Sequence, residues 1–174
     1  AAHYAGDAYT YIGSSAWIAT ALEHPLYDPL MRTFTFVHPD PRLYFAVGAM
    51  QSAGGALDWL VRLLQDSETE ARSLYTTLDR LAAAEPPGAH GLLFLPHLLG
   101  ERSPHWNPLA RGAFVGLSMA HGRASVSRAV LEGVTFNLRS ILDAFRAQED
   151  IAAMRVIGGG ARSAVWRQIL ADVY

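Results

Sequence analysis

The stretch "VIGGGARSAVW", residues 156–166, constrains this chain more than any other. A short apolar run leads into Gly158, Gly159 and Gly160. Trp166, Ile169, Leu170 and Val173 then recur at helical spacing. The pattern predicts a strand, a turn stripped of side chains, and a helix whose N-cap is Ser163. Bare main chain between a strand and a helix start serves one of two purposes. It makes a tight turn, or it lets a flat or bulky ligand touch the backbone. The stretch is neither GxGxxG nor a P-loop, because no Lys follows and the spacing differs.

The rest of the chain supplies the layers. "AYTYIGSSAWIATAL" reads as two strands joined at Gly13, Ser14 and Ser15. "RTFTFVH" and "YFAVGAM" read as two more strands, the second interrupted by Gly48, with the Pro-bearing loop "EHPLYDPL" before them. "SAGGALDWLVRLL" predicts a helix capped by Ser52, with Leu57, Leu60, Val61 and Leu64 on one face. "SETEARSLYTTLDRLAAA" predicts another, with Ser67 and Glu70 at capping-box spacing and a Leu74, Leu78, Leu81 stripe. "LLFLP" and "AFVGL" read as short buried strands. Residues 125–147 read as the longest helix, with Val126, Val130, Val134, Leu138, Ile141 and Phe145 facing inward. Strands first, then alternating helix and strand, argue for a layered α/β domain.

With 174 residues, half of them apolar and a net charge of −2, the chain is sized for one globular domain. Scattered Lys and Arg give no electrostatic warrant for nucleic acid. No apolar run is long enough to cross a bilayer. The absence of cysteine excludes disulfides, thiol catalysis and thiolate metal sites, and suits a reducing cytoplasm. Residue 1 is Ala, and Tyr174 ends an unfinished helical pattern, so a longer parent protein is expected.

Two further turns share the glycine signature. Gly13 with Ser14 and Ser15 offers N–H groups and hydroxyls at a hairpin tip, a fair cradle for phosphate oxygens. Gly54 and Gly55 occupy the first turn of a helix, where glycine is a poor helix former. Close approach of a ligand explains them, and so does tight helix–strand packing. Three such turns at element ends together point to a nucleotide.

"LPHLLGERSPHWNPLARGAFVGLS", "SRAVLEGVTFNLRSILDAF" and "VIGGGARSAVWRQILADVY" resemble the C-terminal domain of the FGGY family of carbohydrate kinases, most closely its xylulose-phosphorylating branch. The likeness runs along essentially all of residues 1–174. The stretch Gly112–Glu132 is similar to the family's second signature, with Ser125 departing from the usual His, acidic or amide residue. The resemblance implies an actin-like ATPase fold of the ribonuclease-H type, a mixed sheet with flanking helices. It implies ATP and Mg2+, a sugar such as D-xylulose held mainly by an absent N-terminal domain, a cytoplasmic enzyme and room for a homodimer. It also implies nucleotide contacts at Gly13, Ser14 and Ser15 (phosphates), Gly54 and Asp58 (ribose and phosphates), and Gly158, Gly159, Gly160, Ala161 and Ser163 (adenine). Gluconate, glycerol and other polyols stay open as substrates, as does a non-enzymatic actin-like domain. The family's catalytic base is an Asp in a glycine-rich turn, expected upstream of residue 1; Asp7 lies too near Gly13 to be it.

Four other features carry alternatives. His97, Glu101 and His105 have zinc-like spacing, but Pro96, Gly100 and Pro104 forbid the helix that would align them. Glu101 and Arg102 are expected to pin a loop through backbone or mutual bonds, with Trp106 covering its underside or touching substrate. Glu132 is expected at the surface, or in an ion pair with Arg128 or Arg139. Arg162 either reaches phosphate or adenine or is an exposed helix-start residue.

Overall fold

The computed structural model describes residues 4–65 and 71–174; the Ser67 and Glu70 capping box lies outside them. Its strands are β1 (Ala8–Ile12), β2 (Ala16–Leu22), β3 (Phe34–Val37), β4 (Tyr44–Met50), β5 (Leu93–Leu95), β6 (Ala113–Val115) and β7 (Arg155–Ile157). Its helices are α1 (Gly54–Leu64), α2 (Ala71–Ala84), α3 (Arg123–Arg146) and α4 (Ala164–Val173). Five strands form one mixed sheet in the order β3-β4-β2-β1-β7. β1 and β7 run parallel, and the other neighbours run antiparallel.

The period of two in each strand decides what each face touches. Ile12, Ile18, Ala46 and Met50 enter the main core with α3 and α4, whereas Tyr9, Ala21, Leu43 and Phe45 make a smaller cluster. α3 is buried on every side over residues 127–135. Only a central helix, packed by the sheet and by its fellow helices, is covered so completely. All the expected inward positions of α3 are buried except Val126, which packs partly against the core.

Several expectations are corrected locally. Ser52 does not cap α1: the N-cap is Ala53, and the buried Ser52 hydroxyl has no partner among the described residues. β5 and β6 are not buried strands but a separate two-stranded ribbon, in which Phe94 is buried while Leu93, Leu95 and Val115 are exposed. Of the two readings of Glu132, the surface one fails and the ion pair with Arg128 holds. Glu132 is buried, lies 2.6 Å from Arg128 Nε and accepts the Gly88 N–H at 3.0 Å. Trp106 is 62% exposed, meets Phe34 edge-on and has the Arg102 guanidinium of its own loop 5.7 Å from its ring centre. Gly48 does not break β4, which runs unbroken through it.

The 96–112 loop is pinned through Glu101, as its buried carboxylate requires. Glu101 accepts from the backbone N–H groups of Gln51 and Arg102 and from Asn137 Nδ2, and His97 Nδ1 lies 3.0 Å away. His105 does not join them, and no group of three potential metal ligands occurs among the described residues. None of the described helices is long and apolar enough to cross a membrane.

Candidate functional site

The glycine turns meet at one end of the sheet. The β1–β2 turn at residues 13–15 sits directly on the start of α1. The N–H groups of Ala53 and Gly55 donate to Ser14 O, and that of Gly54 donates to Gly13 O, all at 2.8–2.9 Å. A side chain at Gly54 would collide with the carbonyl of Gly13, and one at Gly55 would press on that of Ser14 at 3.0 Å. Packing of helix on turn therefore requires these two glycines. It also consumes donors that a helix N-terminus would otherwise offer to an anion.

The triplet divides in the same way. Gly158 has φ +94°, and a Cβ there would meet Ile12 O at 2.5 Å. A Cβ on Gly160 would meet Ile12 Cγ2 at 2.5 Å and Trp166 Cζ3 at 3.3 Å. Gly159 is different: it has helical dihedrals (φ −62°, ψ −41°), and nothing lies closer than 4.0 Å to a Cβ built on it. Two glycines seat the turn against Ile12, and one opens onto space. Ser163 caps α4, its hydroxyl accepting from Trp166 N at 3.1 Å.

That space is a cleft of about 650 Å³. Small-molecule sites run from about 300 to 1,000 Å³. Gly13, Ser14, Gly54, Asp58, Gly159, Gly160 and Ser163 line it; Ser15, Gly158 and Ala161 do not. Ala161 instead uses its carbonyl on Arg167. Arg162 lines the cleft, and the Ser14 N–H and hydroxyl carry no hydrogen bond among the described residues. Asp7 precedes the opposite end of β1 from Gly13, about 20 Å away at strand rise. Its carboxylate faces Arg155 and the Tyr4 N–H.

Sequence reasoning missed the fourth wall. Tyr75, Thr76 and Asp79 of α2 line the cleft. Tyr75 donates to Asp58 Oδ1 at 2.7 Å, and Asp79 Oδ1 accepts from the Ser163 hydroxyl at 2.9 Å. Burial first, and the bond to Asp58 second, push the Tyr75 phenol up to about 12, so it remains a neutral donor at physiological pH. The only signal was that these residues share a side of α2 away from its leucine stripe, which reads as a solvated face.

Residues 8–174 match the C-terminal domain of the FGGY family of carbohydrate kinases. The chain belongs to that family. It is 39% identical to the xylulose kinase of Staphylococcus epidermidis over 85% of this chain and 29% of that one. To the gluconokinase of Bacillus subtilis it is 36% identical, over 97% of this chain and 34% of that one. The crystal structure of xylulose kinase from Rhodospirillum rubrum superposes with a TM-score of 0.83 at 36% identity, covering 98% of this chain and 33% of that one. The chain thus spans about a third of the length of the relatives it matches. The architecture is the actin-like ATPase fold, here a mixed sheet with four helices.

Proposed function

We propose that this chain is the ATP-binding, C-terminal part of a carbohydrate kinase that phosphorylates a sugar, with D-xylulose the first candidate. The observation that carries the reading is the convergence of the Gly13–Ser14 turn, the α1 start and Gly159–Gly160 on one cleft. The relatives named above as xylulose kinase and gluconokinase support the sugar class and keep gluconate beside xylulose.

Phosphoryl transfer asks a protein mainly for positioning and for stabilisation of charge. Ser14 supplies an N–H and a hydroxyl to phosphate oxygens, two donors that the fold leaves unspent. Asp58, its Oδ1 already held by Tyr75, keeps an oxygen for a ribose hydroxyl. Gly159 gives the adenine a wall without a side chain. The resemblance implies that the proton acceptor for the sugar hydroxyl lies upstream of residue 1; Asp7, held by Arg155, is remote from the cleft. Mg2+ is ordinarily bound through one or two carboxylates plus substrate phosphates. Asp58 is a carboxylate lining the cleft and, with one oxygen on Tyr75 and the other on the ribose, would reach the ion through a bound water.

The test is turnover of the full-length protein with MgATP against xylulose, other ketoses, glycerol and gluconate, followed by ADP release. Turnover on one of these sugars is expected. ATP binding without turnover on any of them favours the non-enzymatic actin-like reading, and absence of ATP binding ends both.

A further inference from the structure

We propose that Asp79 is the residue that selects the base, accepting a hydrogen bond from the exocyclic amine of adenine and rejecting bases with a carbonyl there. The inference rests on the nucleotide reading of the cleft and adds to it a specificity determinant from α2.

The carboxylate is aimed by a chain of bonds that ends in the core. Asp79 Oδ1 accepts from the Ser163 hydroxyl at 2.9 Å. That hydroxyl in turn accepts from the N–H of Trp166, whose side chain is buried and whose Nε1 donates to Thr135 Oγ1 at 3.1 Å. With Oδ1 committed, Oδ2 has no partner among the described residues, and Asp79 lines the cleft. No cation pairs with Asp79 among the described ion pairs; Arg162 lines the same cleft without bonding to it.

The uncommitted donors orient the nucleotide. Phosphates go to the Ser14 N–H and hydroxyl at the β1–β2 turn, which leaves the base for the α2 and α4 end. Gly159 and Ser163 stand at that same end. Asp58, tied to α2 through Tyr75, lines the same cleft and is the ribose neighbour in this orientation.

An ionised carboxylate only accepts hydrogen bonds. Adenine offers an N6–H donor at its six position, whereas guanine and hypoxanthine place an acceptor oxygen there. The adenine pairing forms a charge-assisted bond, and the other opposes two acceptors. A preference of about 10- to 100-fold follows from the usual discrimination of one such contact.

The experiment is calorimetric binding of ADP, IDP and GDP to the full-length protein and to its Asp79→Asn and Asp79→Ala variants; diphosphates avoid turnover. The wild type is expected to bind ADP about 10- to 100-fold more tightly than IDP or GDP. Asp79→Asn, whose amide can donate to a carbonyl, should raise IDP affinity while lowering that for ADP. Asp79→Ala should remove the preference without improving IDP. Equal loss for all three nucleotides in both variants means a purely structural residue and overturns the proposal, as does tighter binding of GDP by the wild type. A wild type that binds none of the three refutes the nucleotide reading itself.

Discussion

Gly159 and Gly160 are neighbours in one turn, yet the structure assigns them different jobs, and alanine at each should separate binding from folding. At Gly160 an added Cβ lies 2.5 Å from Ile12 Cγ2 and 2.8 Å from Ile12 Cβ. Ile12 is fully buried, and Trp166, the next neighbour at 3.3 Å, is 1% exposed. Neither can swing into solvent, so the methyl must be absorbed by overpacking, at a cost of about 1–3 kcal/mol. For a chain of this size that lowers the melting temperature by roughly 2–4 °C per kcal/mol. At Gly159 the dihedrals are helical and the nearest atom is 4.0 Å away. Alanine there should be neutral or stabilising by up to about 1 kcal/mol, because it narrows the unfolded ensemble. Its methyl sits at the cleft wall, so nucleotide affinity should fall. Urea unfolding and calorimetric ADP titration of both variants read the two effects. If Gly159→Ala unfolds early while Gly160→Ala is silent, the division of the triplet is wrong.

Two stability predictions follow from buried charge. Glu132→Ala strands the Arg128 guanidinium and the Gly88 N–H, and should cost about 3–5 kcal/mol by urea unfolding. The paired change Arg128→Met with Glu132→Leu should recover much of it; a loss below about 1 kcal/mol for the single variant would mark Glu132 as a surface residue after all. Asp28 accepts three bonds from Arg32, which lower its carboxyl below the ordinary 3.8. Its folded pKa lies below the unfolded one, so the stabilisation is present above about pH 4 and is lost as pH falls through the folded value. Asp28→Asn should therefore be less stable than wild type at neutral pH, with the gap closing in acid; a gap that ignores pH would contradict the pairing.

What the sequence made legible is local, and what it hid is distant. Ser163 was readable as a cap because the bond it makes is to a residue three positions on. The hairpin at Gly13 and the stripe of α3 were readable for the same reason, being spelled by spacing alone. The Arg128 partner of Glu132 was readable four positions away, but its burial was not, because Gly88, 44 positions away, bears no mark of its role. Ser52 looked like a cap, but the donors it would have capped are taken by the carbonyls of Gly13 and Ser14. The α2 wall was invisible because Tyr75 and Asp79 find their partners 17 and 84 residues away. A polar helix face reads as solvated until the fold lays another element against it. The glycine triplet was legible as a site but not in its parts, since only the position of Ile12 shows which glycines serve packing.

The most direct measurement of the central claim is residue-resolved NMR of the protein titrated with a non-hydrolysable ATP analogue. The amides of Ser14, Gly159 and Gly160 are expected to shift together and saturate at one nucleotide concentration, while Asp7 and its neighbours stay still. Saturable shifts that leave Ser14 and Gly159 untouched would contradict it.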